Sequence, residues 1–300
     1  MNENVGLIGF GIMGAAISTK LIDEGYAVLV HDKNAAAASR AGDAGCTVAE
    51  TPAEVAKQAR VILISLPKPE HVTSVVREGE NCLLAGAITG SVIIDTSTVD
   101  PTTSRQNAEA ASKQVVGYLD CPVLGRPNNC GNWTLPTGGK AQDITIARPV
   151  LETFAAKIVH MGPSGHGNTV KLLNNLMFGA INSITCEIFG LSKRLGLAPE
   201  LLFETIANSG ASTVSNLFKE LGPKIVKGKY DPNFSIDNLQ KDIGLGIAMA
   251  EQSDMTLAIS KTGQRLNDMA RAAGFGQEDT AAVFKVYENA MKEDLQNETS

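Results

Sequence analysis

The sequence predicts two domains, a doubly wound α/β domain over residues 1–162 and an all-α domain over residues 163–300. Three observations carry this prediction. Up to about residue 162, short apolar runs alternate with alanine-rich helical stretches, the pattern of βαβ units that build a parallel sheet with helices on both faces. The first run leads into the glycine-rich turn Gly9-Phe10-Gly11-Ile12-Met13-Gly14 and then a helical stretch. After residue 162 no strand pattern of similar quality returns, and a long proline-free stretch with helical spacing takes over. A chain of 300 residues is long for a single core and suits two.

Taken in order, Val5 to Ile8 is the first strand. Gly9 permits the tight turn out of it, Gly11 lacks the Cβ that would hold a pyrophosphate away from the backbone, and Gly14 lets the helix pack closely on the strand. The helix N-terminus, at Ile12 and Met13, offers unpaired N–H groups and a partial positive charge to two phosphates. A second apolar run, Ala27 to Val30, delivers Asp32, 23 residues after Gly9. A carboxylate there accepts hydrogen bonds from the adenosine ribose hydroxyls and repels a 2′-phosphate, which predicts NAD rather than NADP. Lys33 beside it reads as a solvated turn lysine. Further strands follow at Val61–Leu66, Val92–Ile94 and Val116–Leu119, with helices at Pro52–Gln58 and Thr103–Ser112. Ligands of such sheets bind beyond the carboxyl ends of the strands, so Leu66-Pro67, Ser97-Thr98 and Leu124-Gly125-Arg126 are candidate site segments.

From Asn168 to about Arg194, the apolar residues Val170, Leu173, Met177, Ile181, Ile184 and Ile188 recur at helical spacing. At roughly 1.5 Å per residue this helix would extend about 40 Å. Pro199 fits the first turn of the next helix, and others follow at Asn238–Gln252, Thr256–Ala273 and near Thr280–Lys292. Gln296–Ser300 reads as a frayed tail. Lys171, Asn174 and Asn175 stand at i, i+3 and i+4 on one face of the long helix, and Asn182 continues the stripe. Such a stripe faces either water or a cleft; Leu172, Leu173, Leu176 and Met177 make the helix apolar on most other sides and favour the cleft. Phe178, Phe189 and Leu191 lie on faces that one cleft does not cover, which predicts a homodimer or homotetramer.

Composition removes other classes. The apolar fraction of 43% with 19% charged residues is ordinary for a globular protein. A net charge of −6 with no basic run argues against a nucleic-acid surface. No apolar run approaches the ~20 residues of a membrane span, and a strand starting at Val5 leaves no room for a signal peptide. Five scattered cysteines read as reduced thiols in the cytoplasm, and neither they nor the four separated histidines give a metal site.

Five pieces, GLIGFGIMG at 6–14, DTSTVDP at 95–101, DCPVLGR at 120–126, GHGNTVKLLNN at 165–175 and KDIGLGIAMA at 241–250, resemble in order and spacing the β-hydroxyacid dehydrogenase family. That family includes 3-hydroxyisobutyrate dehydrogenase and 2-hydroxy-3-oxopropionate reductase, and the similarity covers nearly the full chain. The resemblance implies an NAD-dependent oxidoreductase that interconverts a short anionic 3-hydroxyacid and its aldehyde or ketone. It implies Lys171 as the catalytic acid/base, Leu66, Thr98 and Lys241 at the cofactor, and Asn174, Asn175, Phe234 and Asp242 near the substrate. Read alone, Lys241 and Asp242 make an exposed helix pair and Phe234 a core aromatic. A lysine serves such chemistry when burial and neighbouring positive charge lower its pKa toward neutrality.

One segment departs from the family. Members commonly carry DxPVSGG followed by a GTL-containing turn, whereas this chain reads DCPVLGRPNNCGNWTLPTGG. Leu124 replaces the serine, Arg126 the second glycine, and Trp133 the glycine before Thr-Leu. Arg126 offers a planar fork to a substrate carboxylate, sulfonate or phosphate, or else forms a surface salt bridge. A Gly-Arg pair in this loop, with Gly125 supplying backbone, is similar to the sulfolactaldehyde reductases of the family, in a slightly different register. Trp133 reads as a lid or core aromatic. The competing readings fit less well. A 6-phosphogluconate dehydrogenase is much longer and carries Lys-x-x-His-Asn, and imine reductases typically lack the lysine. A non-catalytic NAD-binding scaffold has no need of Lys171.

Overall fold

The computed structural model describes residues 4–290. The chain divides into two compact units, one ending at Lys171 and the other beginning at Leu172. In the first, β1 (Asn4–Ile8), α1 (Ile12–Asp23), β2 (Ala27–His31), α2 (Ala35–Asp43), β3 (Thr47–Val48), α3 (Pro52–Gln58) and β4 (Val61–Ile64) are followed by α4 (Pro69–Arg77) and α5 (Leu83–Gly86). Then come β5 (Val92–Asp95), α6 (Pro101–Ser112), β6 (Gly117–Asp120), β7 (Trp133–Gly138), α7 (Ala141–Leu151) and β8 (Ala155–Gly162). Helix starts follow local chemistry. The side chains of Asn34, Thr51 and Asp100 accept backbone N–H groups at the starts of α2, α3 and α6, and prolines occupy the first turns of α3, α4 and α6.

The eight strands form one sheet in the order β3-β2-β1-β4-β5-β6-β7-β8. Pairing is parallel from β3 to β6, as expected for a doubly wound domain. The sheet is nevertheless not wholly parallel: β7 runs antiparallel to β6, and β8 follows β7. Asp120 pairs with Gly138 and Leu124 with Thr134, so residues 120–138 form a hairpin, and a short connection of this kind reverses the chain. Neither strand announced itself in sequence. Pro136 and Gly138 break the pattern of β7, and seven of the eight residues of β8 are exposed or half-buried. β3 is too short to leave a pattern.

Neighbouring residues of the central strands go to opposite faces, which is why these strands read as unbroken apolar runs. Leu7, Leu63, Ile94 and Leu119 join Ile17, Leu21, Trp133 and Phe154 in one core layer. Ile8, Ile62, Ile64 and Ile93 join Val55, Val72, Leu83 and Tyr118 in the other.

Helix α8 (His166–Arg194) starts in the first unit and continues without a break into the second. There follow α9 (Pro199–Ala207), α10 (Asn216–Lys227), α11 (Ile236–Glu251) and α12 (Ala258–Ala272), and residues 284–290 are again helical. Among the described residues this unit holds no strand beyond the single bridge between Ser235 and Asp279. The helix α10 was not anticipated, because Pro223 lies inside it; Ser215 caps its start and Gly228, at φ 63°, ends it. The expected final helix is described only to residue 290, and the expected frayed tail lies outside the described residues.

Two expectations about α8 need correction. Phe189 is wholly buried against Phe218 and supplies no free surface, and Phe178 is half-buried, packing edge-on against Phe234 with ring centroids 5.7 Å apart. Asn182 is also buried, and its Nδ2 donates to the Thr280 carbonyl at 3.1 Å, so it braces the helical core. The large apolar residues that α8 exposes are Leu173, Met177, Ile184 and Leu191, each more than half accessible and all on one side of the helix.

Candidate active site

The first unit builds a dinucleotide cradle from its first βαβ turn. A Cβ on Gly14 would lie 2.1 Å from the Gly9 carbonyl oxygen, so only glycine lets α1 start this close to β1. A Cβ on Gly11 would meet no atom within 4 Å, which leaves open space at the helix N-terminus. The first turn of α1 carries no side-chain cap, so the N–H groups near Ile12 and Met13 keep their capacity for an anion. Asp32, just past β2, accepts from the N–H of Phe10 at 2.7 Å and of Asn34 at 2.8 Å. It therefore fastens the glycine turn, and each oxygen retains a lone pair for a ribose hydroxyl. These residues fit NAD: the phosphates would meet Gly11, Ile12 and Met13, and the ribose would meet Asp32.

The next loops lie at the carboxyl ends of β4, β5 and β6, as expected. They are tied together, since the Leu66 N–H donates to Ser97 Oγ at 2.9 Å and the Ser97 N–H to Asp95 Oδ1 at 2.9 Å. Thr98 is half-buried on the β5 loop. Asp95 is fully enclosed and also accepts from the Tyr118 hydroxyl at 2.9 Å. Burial outweighs these bonds and pushes its carboxyl up to about 6. Lys171, the last residue of the unit, is half-buried and donates from Nζ to the Val123 carbonyl at 2.8 Å, just beyond β6.

The departing segment closes on itself. Trp133 is wholly buried in contact with Phe154, so it is a core aromatic and not a lid. Its indole N–H donates to the Arg126 carbonyl at 2.8 Å. The ring fills the place a side chain on Gly125 would need, with Cδ1 only 2.3 Å from an ideal Cβ there. Thus the tryptophan that replaces the family's glycine fixes the backbone of Gly125 and Arg126, while the Arg126 side chain is half-buried.

The second unit brings together its own polar group. Asp242, on α11, is buried. Its Oδ2 accepts from Asn175 Nδ2 at 2.5 Å, and its Oδ1 lies 2.9 Å from Lys241 Nζ. Asn174 Nδ2 donates to Asn175 Oδ1 at 3.0 Å. Lys241 and Asp242 are therefore not an exposed helix pair. Phe234, half-buried, packs on Phe178 beside Leu239 and Ile243. Sequence reasoning missed Asp120 and Asn168, both buried near Lys171; they stand inside the quoted motifs, but nothing in their spacing tells an enclosed carboxylate from an exposed one. Among the described residues no group of three or more histidine, cysteine or acidic residues could hold a metal, and no helix is long and apolar enough to cross a membrane.

A doubly wound sheet with an open glycine turn and an acidic residue closing β2 defines a nicotinamide-dinucleotide oxidoreductase. Residues 4–162 match the family described as the NAD binding domain of 6-phosphogluconate dehydrogenase. Residues 165–287 match the NAD-binding domain of NADP-dependent 3-hydroxyisobutyrate dehydrogenase. The chain is 32% identical over 290 residues to a probable mitochondrial 3-hydroxyisobutyrate dehydrogenase of Dictyostelium discoideum, covering 94% of this chain and 90% of that one. It is 31% identical over 286 residues to the 3-sulfolactaldehyde reductase of Escherichia coli, covering 94% of each. A solved structure of Mycobacterium tuberculosis 3-hydroxyisobutyrate dehydrogenase with L-serine matches at a TM-score of 0.84 and 28% identity, over 95% of this chain and 99% of that one. The chain belongs to the β-hydroxyacid dehydrogenase family and is an NAD(P)-dependent dehydrogenase acting on CH–OH groups.

Proposed function

We propose that the protein interconverts a short anionic 3-hydroxyacid and its aldehyde or ketone, with Lys171 as general acid/base and NAD as the preferred cofactor. The observation that carries this reading is the Lys171 ammonium, held 2.8 Å from the Val123 carbonyl at the carboxyl edge of the sheet. NAD, when bound, supplies the hydride chemistry. Lys171 takes the hydroxyl proton in oxidation and returns it in reduction, and the Val123 carbonyl orients its amine. Gly9, Gly11, Ile12, Met13 and Gly14 receive the phosphates, Asp32 the ribose, and Leu66, Thr98 and Lys241 the remainder of the cofactor. Gly125 and Arg126 hold the substrate's anion. Asn174, Asn175 and Phe234 bind the rest of the substrate, with Asp242 holding Asn175 and Lys241 in register.

The arginine fork, in the loop where family members carry Ser-Gly-Gly, favours a strongly anionic head group. A sulfonate is the second reading, supported by the similarity to the Escherichia coli 3-sulfolactaldehyde reductase. Residues 1–162 act as the NAD-binding domain and 163–300 as the substrate and oligomerisation domain. The exposed stripe of Leu173, Met177, Ile184 and Leu191 supports a homodimer or homotetramer. Five free thiols suit the reducing cytoplasm. The test is Lys171→Ala: kcat should fall ~10²–10⁴-fold while NADH binding, followed by fluorescence, persists. Near-normal turnover by the folded variant refutes the assignment. A panel of short hydroxyacids with carboxylate and sulfonate heads decides between the two anions.

A further inference from the structure

We infer that Asp120 and Asn168 are positioning residues for Lys171, an inference that rests on the acid/base role proposed for that lysine. Neither side chain reaches solvent. Asp120 ends β6. Its Oδ1 accepts from the Gly165 N–H at 2.7 Å and its Oδ2 from the Asn168 N–H at 2.9 Å. These donors open α8 and have no partner within the helix, so a tertiary carboxylate does the work of a cap and places its charge at the positive end of the helix. Asn168 reaches the other way. Its Oδ1 accepts from the Val99 N–H at 3.2 Å, and its Nδ2 donates to Ser104 Oγ at 3.1 Å. Val99 directly follows Thr98. One buried carboxylate and one buried carboxamide therefore bind the first turn of α8 to the end of β6 and to the loop after β5.

Gly167 makes the approach possible. A Cβ there would lie 2.3 Å from the Asp120 carbonyl oxygen and 2.5 Å from that of Pro136. Lys171 follows one turn later and donates to Val123, three residues past Asp120. Both the root of the lysine and the acceptor of its ammonium are thus registered to the same end of the same strand. If the first turn slips, the amine moves relative to Val123, Gly125 and Arg126 together, and a displacement of about 1 Å at a reacting group costs on the order of 10²-fold in rate.

The test uses the full-length enzyme carrying Asn168→Ala or Ser104→Ala, each alone and combined with Lys171→Ala. Asn168→Ala should lower kcat by roughly 10–100-fold while the Kd for NADH stays within about twofold. Amide exchange should rise at residues 165–171 while the central strands stay protected. Ser104→Ala removes only the partner of Asn168 Nδ2, so it should give a smaller fall in kcat and remain folded if the first variant does not. In the Lys171→Ala background neither change should lower the residual turnover further, because no lysine remains to be misplaced. Unchanged kcat in folded variants overturns the inference. So does a parallel loss of kcat and NADH binding, or an additive loss in the Lys171→Ala background; either would reduce the pair to general scaffold. An inactive Lys171→Ala beside a normal Asn168→Ala defeats this inference alone, whereas a normally active Lys171→Ala defeats the acid/base reading and this inference with it.

Discussion

Replacing Asp95 by asparagine should stabilise the protein at neutral pH and have little effect in mild acid. Asp95 is fully enclosed, and burial raises its carboxyl from 3.8 to about 6, with the nearby Asp120 charge acting in the same direction. A shift of about two units corresponds to ~3 kcal/mol at about 1.4 kcal/mol per unit. The sign follows from which state ionises first. Below 3.8 both folded and unfolded chains carry a neutral acid, and no penalty exists. As pH rises toward about 6 the unfolded chain ionises while the folded one resists, so stability is progressively lost; above that the penalty is complete. Asparagine keeps the shape without the charge. Its Oδ1 can still accept from the Ser97 N–H, and its Nδ2 can donate to the Tyr118 oxygen that now donates to Asp95. The difference in unfolding free energy between variant and parent should therefore grow by ~2–2.5 kcal/mol between about pH 4 and pH 7.5. Urea unfolding followed by tryptophan fluorescence suits the measurement, because Trp133 is the single tryptophan and lies buried in the same unit. A difference that stays constant across this range refutes the reasoning.

Three further outcomes are expected. The parent enzyme should use NAD at least roughly tenfold more efficiently than NADP, and Asp32→Ala should narrow that gap; it should also weaken both cofactors, since the Phe10 N–H loses its acceptor. Equal kcat/KM for the two cofactors in the parent defeats the ribose assignment. Arg126→Ala should raise KM for the true substrate and cost about 2–5 kcal/mol in kcat/KM, with Arg126→Lys restoring only part and NADH binding unchanged. A KM that holds for every anionic substrate would make Arg126 a surface residue. Leu173→Glu combined with Ile184→Glu should yield a monomer by light scattering at micromolar concentration, and the same mass before and after would place the contact elsewhere.

The sequence carried the parallel part of the sheet because each central strand is buried on both faces, so a run such as Val61–Ile64 needs no alternation to be noticed. It carried the glycine turn because steric demands restrict those positions to one residue type. It did not carry β7 and β8, whose apolar pattern is thin and whose pairing depends on a hairpin closed at distant positions. The candidate site was legible to the extent that its residues sit at strand ends or on one helical face. Asp242 escaped a correct reading from its residues alone because only tertiary packing separates a buried aspartate with a half-buried lysine from a solvated pair. Phe189 failed for the same reason, since helical spacing gives a face but not the neighbour that covers it.

The reversal of β7 has a bearing on how such an enzyme can change its substrate. Gly162 pairs with Gly138, and Gly138 with Asp120, so the two reversed strands return the chain level with the carboxyl end of β6 just before α8 begins. The excursion between Leu124 and Thr134 leaves that level and is anchored on its far side, where the Gly131 N–H donates to the Phe154 carbonyl at 2.9 Å and Cys130 Sγ to the Ala16 carbonyl at 3.5 Å. Residues 126–129 can therefore be exchanged while those anchors, and the Asp120–Gly138 register that delivers Lys171, stay in place. Selection, or a designer grafting tips from relatives, can vary the part that chooses the anion while the part that moves the proton stays in place. Gly125 and Cys130 mark the cut points for such grafts: between them sequence is exchangeable, and outside them the geometry of the acid/base is at stake.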